Sequence, residues 1–157
     1  MKDEKKINED RTIHDKIKGR LKLVIKMQLV WLALAILFHV ASLIRVWMGL
    51  TPLSAAAPIS SIISLCIIYI PLLYLGWKSH LVIYGLINGF VFGMMLFTGE
   101  IPRVMMYFSP EGISAYPSAI GWFGGILING IGIPLGFFGS FLALSMAWRK
   151  KSNHPIE

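Results

Sequence analysis

The sequence predicts an all-α integral membrane protein: four transmembrane helices in a bundle, an amphipathic helix before them, and both termini cytoplasmic. Three observations carry this. Hydrophobic residues make up 55% of the 157 positions and charged residues only 15%, against about a quarter charged in ordinary soluble domains. Several apolar runs exceed the roughly 18 residues that mark a spanning helix, and lipid offers no partners for open peptide groups, which favours helices. The basic residues cluster beside these runs, and the period-two alternation of a membrane barrel is absent.

Residues 1–26 form a basic leader. Its first twelve residues, MKDEKKINEDRT, are polar and mixed in charge, a composition that predicts disorder. Beyond them Ile13, Ile17, Leu21 and Val24 fall within about 80° of one another at helical period, with Lys18, Lys22 and Lys26 opposite. Two readings are open: a helix lying on the cytoplasmic membrane surface, or a straight extension of the first span. Residues 27–148 form the membrane domain, with spans at about 27–50, 57–77, 81–98 and 118–148, an apolar outer loop at 99–117 and a basic tail at 149–157. The first span is expected to be retained rather than cleaved as a signal, being long and lacking a small-x-small cleavage site.

Charge sets the orientation. Nine of the 15 Lys and Arg residues precede the first span, Lys78 lies between spans two and three, and Arg149, Lys150 and Lys151 follow span four. Short basic segments stay in the cytoplasm, so the 77–81 turn and both termini face inward, and residues 51–56 and 99–117 face outward. The net charge of +7 then reflects topology and attraction to anionic lipid in the cell inner (plasma) membrane, and no nucleic-acid partner is invoked.

Inside lipid, small and polar side chains mark contact faces. Gln28, Ala35, His39, Ser42 and Val46 share a side of span one, and Ala57, Ser60, Ser64 and Pro71 a side of span two. Span three has a small-residue row, Gly85, Gly89 and Gly93, and a second face of His80, Tyr84, Asn88, Val91, Met95 and Thr98. In span four the stretch GWFGGILINGIGIPLGFFGS holds seven glycines. Gly121, Gly125, Asn129, Gly132, Gly136 and Gly139 fall within about 80° of one another, a helix-packing stripe rather than a loop. Pro134 predicts a bend.

Candidate chemistry is sparse. His39 lies near mid-span, where an ionisable group is costly; it is expected to be neutral and bonded to Ser42, Asn88 or Asn129, either as a packing anchor or as a ligand. A haem held by His39 would need an open axial position or a partner's histidine, because His14, His80 and His154 lie at or beyond the cytoplasmic boundary. A quinone contact is the companion reading. Arg45 can snorkel, pair with Glu100, or bind an anionic group. Glu100 and Arg103 are spaced for a local ion pair, weak if exposed, and Pro102 disfavours a helix running through them. Met94, Met95, Met105 and Met106 could offer thioethers to Cu(I), although adjacent pairs point apart on a helix. The single cysteine, Cys66, excludes an internal disulfide. No Walker loop, dinucleotide fingerprint, HExxH, Ser–His–Asp set or paired intramembrane carboxylate occurs, so nothing argues for an enzyme.

Two functional classes follow. Abundant packing faces and little chemistry favour an accessory or interaction subunit, or a self-assembling bundle, whose partners are the bilayer and another membrane protein or a second copy. The other class is a small transporter or channel with a polar pathway lined by His39, Ser60, Ser64, Asn88 and Asn129; a haem- or quinone-binding anchor is a third.

Overall fold

The computed structural model describes residues 2–152, with side chains described between 12 and 149 apart from His14. Among the described residues there are five α-helices: α1 (Lys2–Trp47), α2 (Pro58–Trp77), α3 (Leu81–Met94), α4 (Ile101–Met106) and α5 (Ala119–Ser152). A π-helical turn, Met95–Glu100, joins α3 to α4, and a 3-10 turn, Gly112–Ala115, precedes α5. Among the described residues, four helical stretches are long and apolar enough to cross a membrane: Asp15–Trp47, Pro58–Trp77, Leu81–Met106 and Ala119–Arg149.

The leader is a straight extension of α1, which runs unbroken from Lys2, so the disorder expected over the first twelve residues is not what the backbone shows. Leu21 and Val24 are buried in the common core beside Leu142, Ala143 and Met146 of α5. The apolar face expected on the membrane surface is therefore part of the bundle. Lys22 lies over the Trp77 ring and Lys78 over Tyr74, at 5.9 and 5.6 Å, which places cations against aromatic faces at this end.

Glycine and proline set the helix ends. Past Trp47, Gly49 takes a left-handed φ of 73° and its N–H donates to Val46 O, while Leu50 N–H reaches back to Arg45 O, closing carbonyls that α1 would leave open. Pro58 occupies the first turn of α2, where no N–H is needed. The span-three helix does not stop near 98 as expected. The π turn carries it to Pro102, which falls in the first turn of α4, where a missing N–H costs no helical bond.

The spanning helices form a ring: α1 packs on α2, α2 on α3, α3 on α5 and α5 back on α1. An aromatic cluster sits inside, with Trp31 5.0 Å from Tyr69 and 5.3 Å from Phe92. Polar side chains tie the ring across lipid-depth helices: Tyr84 Oη donates to Gln28 Oε1 at 2.7 Å, Gln28 Nε2 to Leu135 O at 3.1 Å, and Trp31 Nε1 to Ile128 O at 2.9 Å. Unmet donors in hydrocarbon are costly, so such bonds fix which helices pair.

The glycine stripe of α5 faces this chain's own residues. A Cβ would come within 2.9 Å of Arg103 Nη1 at Gly125, 2.1 Å of Trp31 Nε1 at Gly132, 2.0 Å of the Phe92 ring at Gly136 and 2.7 Å of Tyr84 Oη at Gly139. At Gly121 the obstacle is the backbone of Leu53. The row on α3 is only partly used: Gly85 lies against Leu144 and Gly89 against Ser140, while Gly93 has nothing within 4 Å.

Candidate functional site

Glu100 and Arg103 of the 99–117 segment are turned into the bundle, while Glu111 is exposed. Glu100, at the end of the π turn, retains only 7% of its accessible surface. Its Oε2 accepts from Arg103 Nη1 at 3.1 Å and from Asn129 Nδ2 of α5 at 3.1 Å. The local ion pair foreseen from the spacing forms, with Glu100 buried, Arg103 half-buried and Asn129 as a third member. A buried carboxylate needs such donors to offset lost hydration.

Arg103 is held from every side. Gly125 leaves room for its guanidinium, the Tyr116 ring lies 5.8 Å from Cζ, and its carbonyl accepts from Trp122 Nε1 at 3.0 Å. Tyr107 stacks on Trp122 at 5.8 Å, so this aromatic pair clamps the end of α4 to α5. Across from them the 50–57 segment folds back on α1: Leu53 N–H donates to the fully buried Ser42 Oγ at 2.9 Å, and Ser54 is 5% exposed.

Between these parts lies a cleft of about 60 Å³ lined by Phe38, His39, Ser54, Arg103, Gly125 and Asn129, among others. His39 packs edge-on against Phe38 at 5.5 Å. Its Nδ1 is buried without a hydrogen-bond partner, and the same is true of Arg103 Nε. Both residues line the cleft, and Asn88 Oδ1 and Tyr116 Oη are likewise buried without a partner. The space suits several water molecules or one small polar group, and the lining has the polar partners either would need.

The expected site residues separate into groups. His39 and Asn129 line the cleft, and Glu100 joins through Asn129. Asn88 is elsewhere, fully buried between α3 and α5, donating to Gly136 O at 2.6 Å and Ser140 Oγ at 3.0 Å. Ser60 and Ser64 are exposed on α2, and Ser60 Oγ donates back to Ala57 O; a single pathway through all five residues is not formed. Arg45 Nε donates to Thr51 O at 3.0 Å and not to Glu100. The expected partners of His39 are engaged otherwise: Ser42 with Leu53, Asn88 with Ser140, Asn129 with Glu100.

The cofactor readings fit this geometry poorly. A cavity of about 60 Å³ has no room for a macrocycle beside His39, and His80 stands at the far end of α3. Among the methionines, Met95 Sδ accepts from Tyr69 Oη at 2.6 Å, and Met94 and Met105 are exposed. Arg103 and Ser54 are the residues that sequence reasoning undervalued. Arg103 was legible as one half of an ion pair, but nothing in the spacing shows that it lines a cleft with His39.

No protein-family model matches the chain, and neither the curated proteins nor the solved structures compared with it give a significant match.

Proposed function

We propose that this chain is a small plasma-membrane protein, with both termini cytoplasmic, that binds a small polar solute in the cleft between α1, α4 and α5, as a carrier or channel does. Positive-inside bias supports the orientation and puts the cleft toward the outer face. The observation that carries the solute-binding reading is that His39 and Arg103, which line one cavity, each keep a buried nitrogen without a hydrogen-bond partner. Polar groups kept at membrane depth are costly, and a polar solute beside His39 and Arg103 would offset part of that cost. The residues committed to it are His39, Ser54, Arg103 and Asn129, with Glu100 holding Arg103 and Asn129 in place.

A specific observation favours a second reading, an accessory subunit. Met105, Tyr107 and Phe108 are 65%, 58% and 79% exposed, an apolar outer segment that a partner protein could cover. The glycine stripe lends this reading little support, since the chain's own residues fill it.

Thermal unfolding of the detergent-solubilised protein with acetate, nitrate, glycerol, urea or ammonium, each at high concentration, tests the first reading. At least one solute is expected to raise Tm by several degrees, because ligand at about 100 Kd adds roughly 2.7 kcal/mol, and His39→Leu is expected to remove the response. A Tm unmoved by every solute would contradict solute binding and leave the accessory reading ahead.

A further inference from the structure

We infer that the cleft takes a small oxyanion, a carboxylate or inorganic group of about three or four heavy atoms, together with one proton carried by His39. The inference rests on the reading of the cleft as a binding site and adds the ligand's chemistry. Glu100 uses Arg103 Nη1, and Arg103 Nε is buried and unpaired. The side edge of a guanidinium, Nε with the outer Nη, matches two oxygens of a planar oxyanion. Ser54 lines the same cavity, and its Oγ accepts from Ala56 N–H, which leaves its hydroxyl hydrogen to donate to a second oxygen. The volume of about 60 Å³ accommodates a carboxylate-sized group.

Charge balance brings in the proton. Arg103 and Glu100 cancel, so an anion entering the cleft adds one uncompensated negative charge away from bulk water, a costly state. The charged groups near His39 are few. On α1, Arg45 is turned to Thr51 O; segment 50–57 carries no ionisable side chain; the π turn and α4 contribute only Glu100 and Arg103; Tyr116 lies over the guanidinium and Glu111 is exposed; and α5 has none from 119 to 148. His39 is the one lining group able to gain positive charge. A proton moving from water to its imidazole as the anion enters keeps the cleft neutral, with no bond to carbon made or broken. The oxyanion could be a free solute or the acidic group of a lipid headgroup.

Isothermal titration of the full chain in neutral detergent decides this, using sodium acetate, sodium nitrate, a short-chain phosphatidylglycerol and urea, each in two buffers of different ionisation enthalpy. Acetate or nitrate is expected to bind with about one proton taken up per anion, more tightly at lower pH. His39→Gln should abolish the proton uptake and weaken binding about tenfold or more, and Ser54→Ala, which leaves charge unchanged, should weaken it less. Binding of phosphatidylglycerol alone would assign the oxyanion to lipid. Urea binding as tightly as acetate, or anion binding without proton uptake, would overturn the inference while the solute-binding reading stands. If nothing binds, both fall.

Discussion

Replacing Arg103 with methionine is expected to lower the stability of the detergent-solubilised protein by about 3–5 kcal/mol, because it leaves a buried carboxylate without its counter-charge. Glu100 is almost wholly enclosed and depends on Arg103 Nη1 and Asn129 Nδ2. Removing the cation leaves the carboxylate with one amide donor in a poorly solvated place. The double variant Glu100→Gln with Arg103→Met is expected to recover most of that loss, since no unpaired charge remains and the introduced carboxamide oxygen can still accept from Asn129 Nδ2. Chemical or thermal unfolding of wild type, both single variants and the double variant checks this. Single and double variants of equal stability would mean that the pair is solvated and energetically idle, as a surface pair would be.

Gly132→Ala is expected to cost about 3 kcal/mol, and its size comes from what one methyl group displaces. The new Cβ would stand 2.1 Å from Trp31 Nε1. The indole must move, losing its 2.9 Å bond to Ile128 O and its packing against Tyr69 and Phe92. Overpacking costs about 1–3 kcal/mol, and an interhelical hydrogen bond in a membrane protein about 0.6 to 1.7. Gly93→Ala and Gly130→Ala are the controls, with nothing within 4 Å of either site. Helix propensity alone favours alanine there by up to about 1 kcal/mol, so these two should be neutral or stabilising. A similar response at Gly93 and Gly132 in thermal unfolding would refute the assignment of the stripe to contacts within the chain.

The four spans and the glycine stripe of α5 were legible because both are periodic: apolar length marks a span, and a 3.6-residue repeat marks a face. What covers the stripe was not legible, because a small-residue face accepts any close neighbour, and only the fold selects Trp31, Phe92 and Tyr84. Glu100 shows where phase counting fails. At a uniform 100° per residue it falls about 160° from Tyr84, on the side that should meet lipid. The π turn over Met95–Glu100 accommodates one extra residue and rotates Glu100 and Arg103 back toward α5. Pro102 disfavours a regular helix running straight through it, yet after the π turn it falls in the first turn of α4, where no N–H is needed. His39 was legible as a polar group at a costly depth, but its lack of a partner depends on Ser42, Asn88 and Asn129 each being engaged elsewhere, which no linear pattern records.

Solute binding as proposed requires the cleft to be open to the outer aqueous phase. Ser54→Cys, in a Cys66→Ser background, places a single thiol on its lining. In right-side-out vesicles an anionic, membrane-impermeant methanethiosulfonate is expected to modify it, and acetate is expected to slow the reaction. Modification only from the opposite side, or none from either side while the exposed Met105→Cys reacts, would contradict an outward-facing polar site.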